Sequence, residues 1–357
     1  MATSYNDIFV RDNFGDNGQI PSDGAACESP DIIPVLGGTL NWASANSTYS
    51  DGIDHGQNIV DHGLNNIYVR AFNKGSDGSG TVALYSSPNS LFLSPPWTPV
   101  TTAGGSDSVT FFGSTGSTIV AAGTVALSSQ PFMIQALKPL PGDLHYCLIS
   151  VVQTPSHAVA VPTSFASNAA FVDWVQMNPA VGWRNVGLVP NSSTEILITH
   201  GFGNDDSVSR YYIFKFTGMG FAAQTPISVQ SADLRCPIQQ SGVLPAPDSN
   251  GEQIYTFEQL VPAGPGFSST ITITLTSPGG DFPPVARLKV QLLQDVDPDD
   301  MLHLKVSRPV SLPSFRGVPL DGPIPLIKLG ECTTVVAPNS TAASKRPALP
   351  SSRRRLR

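Results

Sequence analysis

Apolar and polar residues alternate with a period of two through six stretches: "NIYVRAFNKG" (66–75), "GTVALYSS" (80–87), "STEILITHG" (193–201), "SRYYIFKFTG" (209–218), "SSTITITLTS" (268–277) and "VARLKVQLLQDV" (285–296). Successive side chains of a β-strand point to opposite faces, so this period predicts strands with one face on a core and one in water. In "TITITL" the isoleucines take the first face and the threonines the second. Most apolar positions are Val, Ile, Phe and Tyr, which suit a pleated surface. Turn-forming runs separate the strands: "NKGSDGSG" (73–80), "SPPWTP" (94–99), "LPGD" (140–143), "GNDDSV" (203–208) and "SPGGDFPP" (277–284). Helical periodicity is nearly absent. "FVDWVQMNPAVGW" (171–183) has room for a short helix, which Pro179 interrupts. The expected fold class is all-β, two consecutive antiparallel β-sandwiches.

Breaks in the pattern divide the chain. A strand ends at "LVPNSS" (188–193), which places a boundary near residue 190. The expected organisation is a first sandwich over 1–190 and a second over 191–310. An extended, proline-rich surface segment would follow over 311–333, then a tail over 334–357. The tail is Ala, Ser, Pro and Arg, and disorder is expected there. The 32 glycines and 32 prolines fit many short elements joined by turns.

Charge sharpens this division. The net charge is -7, yet Lys345, Arg346, Arg353, Arg354, Arg355 and Arg357 lie in the last twenty residues with no acid among them. Without those six positive charges the remainder stands at -13. An acidic body is unsuited to gripping nucleic acid; only the tail could meet an anionic partner, and without interleaved aromatics it offers bases no stacking platform. No sequence-specific nucleic-acid binding is expected. No apolar run is long enough for a membrane span. "MATSYNDIFVRDN" lacks the basic region and apolar core of a signal peptide, so cytoplasmic synthesis is expected, with export by a non-classical route left open. Cys27, Cys147, Cys236 and Cys332 show no CxxC spacing and read as buried thiols rather than a zinc or redox motif; two disulfides are the alternative.

Several phrases of the first half occur together in a set order: "DIFVRDNFGDNG" (7–18), "SPDIIPV" (29–35), "GLNNIYVRAFNKG" (63–75), "VALYSSP" (82–88), the tryptophan of "PPWTPV" (95–100), "LPGDLHYCLISVV" (140–152) and "NPAVGWRNVGLV" (178–189). As a set they resemble a CARDB-like, immunoglobulin-like β-sandwich module of large uncharacterised bacterial proteins, over roughly residues 7–190. The module usually reads "YVRVRNRG" where this chain has "YVRAFNKG", and carries asparagines before "RN" where this chain has "MNPAVGWRN". The resemblance implies a sandwich with an accessory role, often beside surface proteins or secreted proteases, and a second sandwich after it. It implies no reaction and supplies no catalytic residues.

Candidate chemistry is sparse. Asp12, Asn13, Asp16, Asn17 and Asp23, with Asp31 beyond, could supply oxygen ligands for calcium. The spacing is wrong for an EF-hand, however, and Asp, Asn and Gly equally make tight turns, the leading reading. Asp54–His55 and Asp61–His62 form a second metal candidate, which would need partners from elsewhere. The metal candidates are thus Asp12, Asp16, Asp31, Asp54, His55, Asp61 and His62, with calcium as the ion if any and no other cofactor. "QDVDPDDML" (294–302) reads as a solvated hairpin tip. No G-x-S-x-G occurs. His145 and Cys147 share a strand face, where an inward pair is poorly placed for chemistry. Trp97 and Trp183 read as core.

No catalytic residue is assigned. The expected function is a non-catalytic interaction or structural module with a protein partner, an accessory of a larger bacterial surface, secretion or toxin-associated assembly. One alternative is a metal- or carboxylate-dependent hydrolase of glycans or peptides, with Asp54, His55, Asp61 or His62 gathered in a deep pocket. Another is a membrane-acting toxin component, with 106–126 as its inserting hairpin.

Overall fold

The computed structural model describes residues 3–56, 59, 64–88, 93–134, 145–187, 194–204, 206–231, 233–258, 262–283, 286–312, 314–315 and 318–335. Among them the chain is nearly all β, with antiparallel pairing throughout. The basic tail and residues 188–193, around the expected boundary, lie outside the described residues.

In the first half one sheet rolls over on itself. Strand Asn65–Asn73 pairs along one edge with Ile8–Phe9 and Ile32–Leu36, and along the other with Phe132–Ile134 and Val125–Ser128. Pairing passes through Ser108–Phe112 to Thr81–Pro88, then to His145–Gln153 and Val181–Gly187. The N-terminal segment laces the open side shut: Val10 N–H donates to the Pro179 carbonyl and Ser29 N–H to that of Trp183. This crossing is close. A Cβ on Gly182 would meet Val10 Cγ1 at 2.6 Å and Ser150 Oγ at 2.8 Å. Ile8, Val10, Ile67, Val69, Phe111, Leu148 and Val152 fill the interior.

The second half is a sandwich of two sheets. One orders the strands Glu195–Asn204, Phe267–Thr276, Pro226–Ser231 and Ile238–Val243; the other orders Glu252–Glu258, Tyr212–Met219, Arg287–Asp295, Ile324–Val335 and Arg308–Val310. The isoleucines of "TITITL" do face the core: Ile271, Ile273 and Leu275 are fully buried, opposite Phe214 and Phe216.

Two short helices lie between the halves. Helix α2 (Asn168–Met177; α1 is Trp42–Ser47) starts where Ser167 Oγ accepts from Ala170 N–H and ends before Pro179. Its Phe171, Val172 and Val175 cover the outer face of His145–Gln153 and Val181–Gly187, Phe171 standing edge-on to Trp183 at 4.8 Å. Cys147, Ile149 and Val151 are therefore as buried as Leu148 and Val152 on the opposite face. Helix α3 (Met301–Val306) packs on α2, and Lys305 pairs with Asp173 at 2.5 Å.

Two expectations are corrected. Residues 311–333 are not simply an extended surface segment: Ile324–Val335 is an interior strand, hydrogen-bonded to Arg287–Asp295 on one side and Arg308–Val310 on the other. Prolines obscured its alternation, yet Pro325 faces Pro309 at the strand's first turn, where the edge partner tolerates missing donors. The aspartates of "QDVDPDDML" form no hairpin tip. Asp300 caps α3, accepting from Leu302 and His303 N–H, and Asp295 accepts from Tyr211 N–H.

Candidate functional site

The opening loop is built from carboxylates that point inward. Asp31, fully buried, accepts from Arg11 through both oxygens, at 2.9 Å from Nε and 2.7 Å from Nη2, and from Arg70 Nε at 2.8 Å. Burial alone would raise its pKa, but the two guanidiniums outweigh it and hold the carboxyl below the usual range. Arg11 also stacks on Tyr49 at 3.7 Å, and Arg70 donates to the Ala45 carbonyl of α1. Asp31 is thus an arginine partner. Asp12 and Asp16 lie beside one another. Asp16 accepts from Gly18 and Asp12 N–H; Asp12 Oδ2 accepts from Ser22 Oγ at 2.5 Å, while its Oδ1 has no hydrogen-bond partner. Burial, with Asp16 as neighbour, pushes Asp12 well above the ordinary carboxylate range. Asn13 closes the loop, accepting from Gly15 N–H and donating to the Asp23 and Ala25 carbonyls.

The second candidate set separates. Asp54 is held by Arg184, bidentate at 2.9 and 2.8 Å, and His55 faces Asp51 at 2.7 Å. Burial raises the Asp54 carboxyl, and Arg184 brings it back below its ordinary value. Asp61 and His62 lie outside the described residues. No group of three or more His, Cys, Asp or Glu side chains converges as a metal-binding set among the described residues. Cys147 is fully buried beneath α2, and the His145 side chain is outside the description. Burial pushes the Cys27 thiol up to about 12 and the Cys236 thiol up to about 11, against thiolate formation. A further buried group escaped the sequence reading: Asp206 accepts from Arg210 Nε at 2.8 Å and Gln294 Nε2 at 2.7 Å, with His303 alongside. Its partners are far apart in sequence, and only an Asp-x-x-x-Arg spacing hints at it.

The seam between the halves holds two adjoining hollows, of about 540 Å³ and 370 Å³, both touching Phe14 and Glu28. The outward residues of the second sandwich's sheet form one wall: Lys215 opposite Gln291, and Gln291 opposite Glu331. Glu331 is gripped by Lys328 at 2.7 Å and Lys289 at 3.1 Å; burial opposes its charge, but the lysines prevail and hold it at about 2. Lys328 also reaches Glu28 of the first half.

At the far end of the second sandwich, the turn after Pro226–Ser231 presents Leu234, 92% exposed. The turn is braced. Arg235 donates to both Asp233 oxygens, at 3.0 and 2.6 Å, and to the Ser268 carbonyl at 2.9 Å, and lies over the Phe267 ring at 4.8 Å. These hydrogen bonds hold the half-buried Asp233 carboxyl below the usual range. Val208, 44% exposed, lies at this end on the connection between Glu195–Asn204 and Tyr212–Met219.

Fold and site together define a double β-sandwich chain with a charged seam and a braced apolar loop tip. No protein-family model matches the sequence, and no curated protein matches it either. Among solved structures it is similar to red sea bream transglutaminase, at 11% identity and a TM-score of 0.19, covering 79% of this chain and 30% of that one. It is similar to a bacterial adhesin from Mobiluncus mulieris containing intramolecular disulfide, isopeptide and ester bond cross-links, at 8% identity and a TM-score of 0.23, covering 85% and 96%. It is also similar to CfaE, the adhesive subunit of the CFA/I fimbria of enterotoxigenic Escherichia coli, at 9% identity and a TM-score of 0.19, covering 93% and 94%. Scores this low do not establish a common fold. This chain spans 30% of the transglutaminase's length.

Proposed function

We propose that this chain is a non-catalytic interaction module that binds a protein partner through the loop end carrying Leu234. The supporting observation is the bracing of that turn. A single exposed leucine is ordinary on a protein surface. Here a bidentate ion pair, a backbone hydrogen bond and an aromatic contact fix the loop that displays it, with Val208 exposed on another loop of the same end. An anchor ordered in advance loses little conformational entropy on binding. The resemblance of residues 7–190 to CARDB-like modules supports an accessory place within a larger bacterial surface, secretion or toxin-associated assembly.

The test is affinity capture from bacterial envelope extracts with the wild-type chain and with Leu234→Asp. Partners retained by the wild type and lost by the variant, at an unchanged melting temperature, are the expected result. An identical set of captured proteins, or turnover of glycan or peptide libraries by the purified chain, would overturn the proposal.

A further inference from the structure

Strand Ile238–Val243 is an edge of the second sandwich: among the described residues it pairs only with Pro226–Ser231. The hydrogen bonds just past its end show which way its backbone faces. Leu244 N–H donates to the Thr225 carbonyl, and the Leu244 carbonyl accepts from Gln224 N–H, so both groups turn toward the neighbouring strand. Direction alternates along an antiparallel ladder, so Gly242, Gln240 and Ile238 face inward as Leu244 does. Gln239, Ser241 and Val243 therefore point their N–H and C=O groups out of the sheet, and all three residues are exposed. The strand is held in place beforehand. Tyr255 of the facing sheet lies so close beneath it that a Cβ on Gly242 would meet the ring at 2.6 Å.

Open edges are usually guarded by charge or proline along the strand. The other edge strands of the two sheets follow that rule: Glu195 stands on Glu195–Asn204, Glu252 on Glu252–Glu258, and Arg308 with Pro309 on Arg308–Val310. "IQQSGV" carries neither charge nor proline. Its prolines sit beyond its ends instead. Pro237 and Pro245, both exposed, take the next odd-numbered positions on either side, where a missing N–H stops the ladder. They are equally distant from Ser241 along the chain.

We infer that this edge pairs antiparallel with the same strand of a second copy of the chain, about a two-fold axis at Ser241. In that register Ser241 meets its own counterpart, Gln239 meets Val243, and Pro237 meets Pro245. Every outward N–H and C=O between the prolines gains a partner, and no like charges are opposed. A slip of two residues either way would set a proline within the ladder and lose bonds. An unrelated strand would need no such symmetry, whereas a two-fold contact between copies requires it. One strand pair covers little surface, so the dimer is weak and depends on concentration. The inference goes beyond the binding placed at Leu234, because its readout is self-association of the purified chain.

The test is sedimentation velocity of the full chain from low to high micromolar concentration, with wild type, Ser241→Lys and Ser241→Asp. The wild type should shift from monomer to dimer. Each variant puts like charges face to face at the axis and should dimerise about tenfold or more weakly. An equimolar mixture of the two variants should recover the dimer, since lysine then meets aspartate. In the wild type, amide hydrogen exchange supplies a readout that does not depend on the variants folding. Gln239, Ser241 and Val243 should exchange severalfold more slowly as concentration rises, while Gln240 and Gly242, already bonded within the sheet, stay unchanged. A chain that remains monomeric at all concentrations, a dimer indifferent to both variants, or a mixture that fails to recover it would overturn the inference. So would protection of these amides by a foreign chain alone, which would assign the edge to that partner.

Discussion

At the residue scale, the charged positions of the conspicuous N-terminal phrases serve mainly to hold the first half together. Arg11 comes from "DIFVRDNFGDNG", Asp31 from "SPDIIPV" and Arg70 from "GLNNIYVRAFNKG", and all three meet in one buried ion-pair group. Removing the acid would leave two guanidiniums buried without their carboxylate. Asp31→Asn should therefore cost about 3–5 kcal/mol, read as a lower midpoint in urea unfolding. Asp12 presents the opposite case. Its folded pKa lies above the unfolded value, so it must take up a proton or remain charged without a full set of donors. That penalty is absent at pH values below the unfolded pKa and grows as pH rises toward the folded value. Asp12→Asn should raise the melting temperature at neutral pH, with the gain shrinking toward pH 4. Because Asp31 and Asp54 are already bound by arginines, EDTA and added calcium should leave the wild-type melting temperature unchanged. The aspartates were visible in the sequence as a cluster. Their arginine partners were not, because pairing across about 20 or 40 residues leaves no periodic trace.

At the element scale, period two was enough to locate the long strands. "NIYVRAFNKG", "SRYYIFKFTG" and "VARLKVQLLQDV" all fall on observed strands with shifts of a few residues. Alternation was a poorer guide to what lies over each face. The two faces of His145–Gln153 are both buried, one by the rolled sheet and one by α2, and nothing in its own sequence shows a helix arriving some twenty residues later. Ile324–Val335 was obscured for another reason: prolines at its start mask an alternation that continues through "LIKLGE". The lacing segment makes a sharper demand. Gly182 lies beneath it with no room for a methyl group, so Gly182→Ala should cost about 1–3 kcal/mol, measurable by calorimetric unfolding. The exposed Gly37, with open space around its missing Cβ, supplies a contrasting site, although its positive φ adds a separate backbone cost there.

At the scale of the whole molecule, the halves are joined by a polar seam as well as by the α2–α3 contact. Glu331 stands at the centre of that seam, between two lysines of its own sheet, one of which reaches Glu28 of the first half. Its folded pKa of about 2 is below its ordinary value. The stabilisation is therefore complete above the unfolded pKa and lost as pH falls from there toward 2. Glu331→Gln should remove on the order of 2 kcal/mol at neutral pH and flatten the acid limb of the stability curve. None of the helices is long and apolar enough to cross a membrane among the described residues.

The interior place of Ile324–Val335 also bears on the order of events during synthesis. When Arg287–Asp295 leaves the ribosome, its earlier neighbour Tyr212–Met219 is already made, but Ile324–Val335, the strand that will cover its other edge, is not. Until then that edge is an unpaired row of donors and acceptors, open to another chain. Local pairing cannot finish this sheet early; closure depends on one of the last described segments returning to the middle. A nascent or truncated chain that stops before Ile324 is left with an open sheet, a natural target for chaperones and for edge-to-edge association.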